Sequence, residues 1–187
     1  MIEWCARLRE MAGGKPVGLK LCVGQPHEVM AIAKAMLQTG ITVDYIVVDG
    51  GEGGTGAAPV ELSNRVGMPM REGLIMVRNM LVGSGLKPQV KIAAAGKVHS
   101  GAGLAMNFGL GADWSNAARA FMFALGCVQS MKCHTDECPT GVATQDATRQ
   151  RGLVVEDKGE RVARFQRQTL HGLREIVVAM GLDDPWQ

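Results

Sequence analysis

The stretch that decides the fold runs from residue 45 to residue 56: Tyr45-Ile46-Val47-Val48-Asp49-Gly50-Gly51-Glu52-Gly53-Gly54-Thr55-Gly56. Its first part is apolar and rich in β-branched residues, which indicates a buried strand that closes at Asp49. The second part is a glycine-rich loop. A near-continuous apolar strand needs cover on both faces, so the stretch predicts a parallel sheet packed against helices, the α/β class.

The same rhythm of strand and helix repeats along the chain. Further strands are expected over residues 17–23, 90–95 and 113–115. Helices are expected over residues 2–11, 26–39, 74–81, 100–106, 117–125 and 157–180. A doubly wound sheet and a (β/α)8 barrel both fit this order. Four strand–helix units make half a barrel, and 187 residues fall below the roughly 200 of a complete one. Because the sequence also opens on a helix, we expect a fragment that lacks its N-terminal half.

Composition narrows the function classes. Hydrophobic residues make up 47% and charged residues 20% of the chain, with a net charge of +2, which is typical of a soluble globular domain. There is no Lys/Arg run to indicate a nucleic-acid partner, no apolar stretch of membrane-spanning length and no signal peptide at Met1. An odd count of five cysteines argues against a secreted disulfide framework, so we expect a cytoplasmic location.

The densest chemical signal is the run Cys127-x5-Cys133-x4-Cys138, followed by Pro139. Three thiolates so close in sequence can converge on one soft centre, and thiolates select iron–sulfur clusters or zinc. Zinc with His134 as the fourth ligand is a rival. Cys133 and His134 are adjacent, however, and adjacent residues rarely ligate one tetrahedral ion well. The spacing therefore favours a cluster over zinc.

The segment Cys-x5-Cys-His-Thr-x2-Cys-Pro-x-Gly-Val-Ala at residues 127–143 resembles the cluster-binding segment of glutamate synthases, in which three cysteines hold a 3Fe–4S cluster. The similarity continues in residues 48–59, 94–98, 116–127 and 141–146 and in Lys20, and it is closest to the shorter FMN-binding members of that family. It implies that residues 1–187 are part of an FMN-binding barrel domain, with the four strands as barrel strands five to eight. Residues 126–141 would be the cluster-binding segment and residues 157–180 a C-terminal helix.

The resemblance also implies where FMN binds. The glycine loop would lie beside the flavin and the 2-oxoglutarate site, and phosphate binding in such barrels comes from the loops after strands seven and eight. The expected contacts are Lys20, Asp49, Gly50, Gly51, Glu52, Gly53, Gly54, Gly96, Lys97, Ser100, Gly101, Asn116, Ala117 and Arg119. Large glutamate synthases carry glycine-rich sequences in the last two loops, and here Lys97 and Arg119 would supply charge instead. Gly51-x-Gly53-x-x-Gly56 also formally matches a dinucleotide fingerprint, which leaves a Rossmann-type NAD fragment as an alternative.

Lys20 lies mid-strand among apolar neighbours, and a buried lysine needs a partner. By resemblance it is the expected catalytic residue, near the flavin and the carboxylate of the substrate. His99 is expected at the same mouth of the barrel. Cys5 and Cys22 are expected to be small buried hydrophobes.

The function that the resemblance implies is the synthase reaction. Ammonia adds to 2-oxoglutarate, reduced FMN delivers a hydride to give glutamate, and the cluster passes electrons from ferredoxin or an NAD(P)H-linked partner. The alternatives are another imine or amino-acid substrate, a non-catalytic electron-transfer module, and a zinc-stabilised module. No glutaminase domain is recognisable.

The fragment itself is expected to be inactive alone. Its sheet would have two unpaired edges, and the inward faces of five strand residues would lack the opposing half of the barrel: Val17, Leu19, Ile46, Val48 and Ile92. We therefore expect self-association, or the missing N-terminal half as a partner, and weak FMN binding without it.

Overall fold

The computed structural model describes residues 1–54 and 56–187. Its elements in chain order are α1 Ile2–Met11, β1 Gly18–Cys22, α2 Pro26–Thr39, β2 Tyr45–Asp49, α3 Met70–Gly83, β3 Lys91–Ala95, α4 Gly101–Gly109, β4 Trp114–Asn116, α5 Arg119–Leu125, α6 Ala147–Gln150 and α7 Val155–Ala179. The predicted α/β class and the alternation of strands with helices are confirmed. The short helix α6 was not predicted. The carboxylate of Asp146 caps it by accepting from the backbone N–H groups of Thr148 and Arg149.

The four strands form one parallel sheet in the order β1-β2-β3-β4. Lys20 lies opposite Val47 in the register, and Val47 lies opposite Ala93. This order has no reversal point, whereas a doubly wound sheet needs one. Consecutive strands of a barrel have this sequential order. Among the described residues, β1 and β4 each pair on one side only.

The main core lies between one face of the sheet and the helices that cover it. Leu19, Leu21, Ile46, Val48 and Ile92 belong to it together with apolar residues of α2, α3 and the end of α4. The prediction that Val17, Leu19, Ile46, Val48 and Ile92 face inward without cover is wrong. These residues point to the helices, where they are buried or partly buried.

The opposite face of the sheet carries the alternate residues. Val47, Ala93 and Ala95 form a small apolar cluster there, and Tyr45 and Trp114 pack against it. The two aromatic rings meet edge to face at 5.6 Å, a geometry that aromatic pairs favour. Because the two large rings cover small neighbours, the three aliphatic residues are almost fully buried on the open side.

Helix α7 packs against α4 and α5. Phe121 of α5 and Phe165 of α7 meet edge to face at 5.1 Å. A Cβ on Gly101, the first residue of α4, would overlap the backbone of Gly172 and Leu173. The two helices can therefore approach this closely only because residue 101 is glycine.

Two aspartates tie neighbouring strands together at the amino edge of the sheet. Asp44 accepts from the Val17 N–H at 2.7 Å, and Asp113 accepts from the Ile92 N–H at the same distance. Asp44 directly precedes β2 and contacts the residue before β1, and Asp113 directly precedes β4 and contacts a residue of β3. The repeated contact helps to fix the register of two strand pairs.

Candidate functional site at the carboxyl edge of the sheet

The parallel strands end at one edge, where Lys20 from the middle of β1 meets Asp49, the last residue of β2. The Lys20 Nζ atom lies 2.9 Å from Asp49 Oδ2, and the lysine side chain is 61% exposed. The expectation of a buried lysine is wrong, because Leu19 and Leu21 face the helices and Lys20 points to the open face. The expected partner is nevertheless present, and the pair leaves an accessible ammonium group at the edge of the sheet.

Cys22 ends β1 beside this pair and is exposed. The expectation that it is a buried hydrophobe is therefore wrong, whereas Cys5 is buried as predicted. Partial burial raises the pKa of the Cys22 thiol, and the nearby carboxylates of Asp49 and Glu52 raise it further. Cys22 is accordingly a protonated, weakly reactive thiol at neutral pH.

The glycine loop after β2 is anchored by its own polar groups. Both carboxylate oxygens of Glu52 accept from the Met70 N–H, at 3.0 and 3.1 Å, and so cap the start of α3. The Gly53 N–H donates to the Asn64 side chain at 3.0 Å. A Cβ on Gly51 would lie 2.6 Å from the Val66 carbonyl oxygen, so the close packing of the chain requires glycine there. Thr55 lies outside the described residues.

The loop also contacts two later parts of the chain. The guanidinium of Arg119, the first residue of α5, donates to the Gly54 carbonyl. A Cβ on Gly56 would lie 2.7 Å from the Met131 carbonyl oxygen and 2.9 Å from the Cys133 nitrogen. The glycine loop therefore packs directly against the cysteine segment. No helix begins at Gly56; the next is α3 at Met70, so the geometry of a dinucleotide fingerprint is absent here.

Two of the predicted cofactor residues in the loop after β3, Ser100 and Gly101, make structural contacts with helices. The Ser100 side chain accepts from the Gly103 N–H at 3.2 Å and so caps α4. Gly101 is the point of closest approach to α7. Gly96 and Lys97 have φ angles of 137° and 48°, and Lys97 is exposed.

The residues after β4 complete the edge. Asn116, the last residue of the strand, is exposed, and Ala117 is partly buried. Where α4, α5 and α7 meet the end of β4 there is a cavity of about 280 Å³, and His99 lines it together with Phe108 and Phe121.

The cysteine segment follows α5 and winds through residues 126–141. Cys127 is partly buried, Cys133 is exposed and Cys138 is buried. Among the described residues, no group of three His, Cys, Asp or Glu side chains is arranged to hold a metal ion. The predicted convergence of the three thiols is therefore not preformed in this conformation. His134, the alternative zinc ligand, is exposed.

Cys138 has the most distinctive surroundings of the three thiols. Burial raises the pKa of its thiol. Hydrogen bonds from the Thr140 hydroxyl and from the backbone N–H groups of Ala143, Thr140 and Val142 outweigh burial and lower the pKa from 9.0 to about 7. A substantial fraction of Cys138 is therefore thiolate at neutral pH, the form that binds metals. The sequence pattern identified Cys138 but missed these donors, although a hydroxyl residue two positions after a cysteine is a visible signal.

No helix in the described part of the chain is long and apolar enough to cross a membrane.

The fold resembles that of two mutant flavocytochrome b2 structures, one with benzoylformate and one with pyruvate bound. The TM-scores are 0.56 and 0.54, at 14% sequence identity, and each match covers 96% of this chain and 35% of the other. At this identity the likeness concerns the fold alone. It defines the class as an α/β fold with TIM-barrel-like flavoenzyme neighbours.

Sequence comparison identifies the family within that class. Residues 1–183 match the conserved region in glutamate synthase, and the chain belongs to the glutamate synthase family. It is 40% identical over 185 residues to the glutamate synthase large subunit-like protein YerD of Bacillus subtilis, which covers 99% of this chain and 35% of that protein. It is 36% identical over 169 residues to the archaeal-type glutamate synthase (NADPH) of Thermotoga neapolitana, covering 90% and 32%. The chain thus spans about a third of the length of these relatives.

Proposed function

We propose that this chain contributes barrel strands five to eight to a flavin- and iron–sulfur-dependent oxidoreductase of the glutamate synthase type, which reductively aminates 2-oxoglutarate to glutamate. The observation that carries the proposal is the packing of the glycine loop on the cysteine segment at Gly56. A loop suited to a flavin and a segment suited to a cluster are thereby neighbours, as electron transfer between the two cofactors requires.

The residues at the carboxyl edge fit FMN and a keto acid. Lys20 offers an exposed ammonium group, oriented by Asp49, and Lys97 offers a second exposed cation. Cations suit the flavin phosphate and the substrate carboxylates. Lys20, Asp49, Lys97 and Asn116 would bind and orient the two molecules. When bound, FMN supplies the hydride transfer.

The cysteine segment fits an iron–sulfur cluster through the chemistry of its donors. Cys138 is already partly thiolate at neutral pH, and the Cys127 sulfur accepts from the Gln129 N–H at 3.4 Å. Hydrogen bonds to sulfur are a usual means of tuning such clusters. Cys127, Cys133 and Cys138 would hold the cluster, which supplies one-electron transfer from ferredoxin or an NAD(P)H-linked donor.

Anaerobic purification tests both cofactors together. The protein, co-expressed with the part of its relatives that this chain does not match, is assayed for iron, acid-labile sulfide and extractable flavin, and electron paramagnetic resonance spectra are recorded. We expect iron, sulfide and FMN in the wild type, and loss of the cluster signal in Cys133→Ser. A colourless protein with stoichiometric zinc that Cys133→Ser leaves unaltered would contradict the proposal and support a zinc-stabilised module.

A further inference from the structure

A polar network closes the loop that contains Cys138. The Thr144 hydroxyl lies 2.6 Å from the Asp136 carbonyl oxygen and 3.0 Å from the Asp136 carboxylate. The same carboxylate accepts from the Gln145 N–H at 2.6 Å. Positions 136 and 144 thus join the two ends of one loop. Cys138 and the backbone N–H groups that face its sulfur lie between them.

Thr144 is the centre of this network. It is one of two buried polar side chains in the described part of the chain, at 8% exposure. Its hydroxyl also accepts from the Asp146 N–H at 3.0 Å, and its carbonyl accepts from the Gln150 side chain at 2.8 Å. All these partners belong to the cysteine segment and the residues that follow it, so the hydroxyl organises this part of the chain and not the sheet.

The backbone of the segment needs such support. Asp136 has a φ angle of 63°, and Gln129 and Met131 have φ angles of 55° and 59°. Left-handed conformations are uncommon for residues other than glycine, and Asp and Asn adopt them more readily than most. Asp136, between Cys133 and Cys138, is fixed by Thr144 and Gln145.

We propose that Asp136 and Thr144 are positioning residues that anchor the backbone between Cys133 and Cys138, the frame within which these two thiolates come together when the iron–sulfur cluster binds. The inference rests on the proposed cofactor. It assigns the two residues a role through Cys133 and Cys138, with no contact of their own to iron. Residues that orient metal ligands in this way affect metal retention strongly when changed.

The first test is the rate at which a chelator removes iron from the anaerobic protein, measured for Thr144→Val and Thr144→Ser. Valine keeps the shape but cannot donate, so we expect release about 10-fold or more faster and an altered paramagnetic resonance spectrum. Serine restores the hydroxyl and the wild-type rate. Thr169→Val is the matched control, because the Thr169 hydroxyl donates to the Phe165 carbonyl of its own helix, outside the cysteine segment. The control should release iron as the wild type does.

Variants at Asp136 test the same proposal independently. They also test it if Thr144→Val does not fold. Asp136→Ala should release iron fast. Asp136→Asn keeps an acceptor oxygen and tolerates the left-handed backbone, so it should release iron slowly. Asp136→Ala combined with Thr144→Val should be no faster than the single variants, because both remove one network. Wild-type rates and spectra in Thr144→Val and Asp136→Ala overturn the inference and leave the proposed function standing, whereas a wild-type protein without iron overturns both.

Discussion

At the scale of single residues, the contact between Lys20 and Asp49 joins the middle of β1 to the end of β2. If the ammonium group stabilises charge that develops during the reaction, Lys20→Ala in the complete barrel should lower turnover about 100-fold while the fold survives. Lys34→Ala, on an exposed position of α2, is the control. Steady-state kinetics with varied 2-oxoglutarate and far-UV circular dichroism measure the two effects. Unchanged turnover and unchanged keto-acid affinity would make Lys20 a structural residue.

Asp113 predicts a pH dependence of stability. Partial burial raises the pKa of its carboxyl. The hydrogen bond from the Ile92 N–H and the ammonium groups of Lys87 and Lys91 lower the pKa by more than burial raises it, so that it lies below the ordinary 3.8. A carboxyl with a lowered pKa stabilises the fold above its ordinary pKa, and this contribution is lost as the pH falls through the lowered value.

Asp113→Asn should therefore flatten the acid limb of the stability curve. Between about pH 6 and about pH 2, its free energy of unfolding should fall less than that of the wild type. At neutral pH it should be lower than wild type by about 1 kcal/mol or less, because the ion pairs are partly exposed. Urea unfolding at a series of pH values measures both effects, with Asp183→Asn in the exposed C-terminal tail as the control. Parallel acid limbs for Asp113→Asn and wild type would contradict the assignment.

Single residues were only partly predictable from the sequence. The pattern identified Lys20 and the three cysteines of the segment because their chemistry stands out among apolar neighbours. It missed that Glu52 caps α3, because the capped N–H lies 18 residues further along the chain. Contacts of this kind depend on how the chain folds back, and local spacing does not record them.

At the scale of elements, the close approach of α4 and α7 at Gly101 predicts that any side chain at residue 101 destabilises the fold. Gly101→Ala should lower the free energy of unfolding by about 1–3 kcal/mol, because the added methyl group overlaps the backbone of α7. Gly109→Ala in the same helix is the matched control, since a Cβ there meets nothing within 4 Å, and it should stabilise slightly. Urea denaturation compares the two. Equal stability of both variants would mean that α7 moves away at no cost.

The bounds of the elements were predictable from the sequence, whereas the faces of the apolar strands were not. The predicted strands lie within two residues of the observed ones, and the predicted 157–180 helix is observed at Val155–Ala179. The assignment of faces was wrong because Ile46, Val47 and Val48 are all apolar, so the strand shows no alternation. In β1 the sequence does show which residues share a face, because Lys20 separates Leu19 from Leu21. Helix α3 begins at Met70 and not at residue 74, since its cap comes from the glycine loop.

At the scale of the whole molecule, the edges of β1 and β4 that have no partner strand among the described residues predict how the chain behaves alone. Unpaired strands invite pairing with other chains, and Val60, Leu62 and Val66 add exposed apolar surface near the glycine loop. We expect the isolated chain to be poorly soluble or oligomeric and to bind FMN weakly. Co-expression with the part of the relatives that it does not match should restore flavin colour. A stable monomer with tightly bound FMN in sedimentation experiments would contradict this expectation.

The open face of the sheet has a consequence for the volume inside any closed barrel that it joins. Its positions include Gly18, Ala93 and Ala95, next to the larger Tyr45 and Trp114. Barrel interiors are filled by side chains in layers, and protein interiors tolerate few voids. The strands that complete the barrel must therefore supply bulk where this sheet supplies little. An enlargement such as Ala93→Leu should be tolerated only together with a matching reduction on the opposite wall.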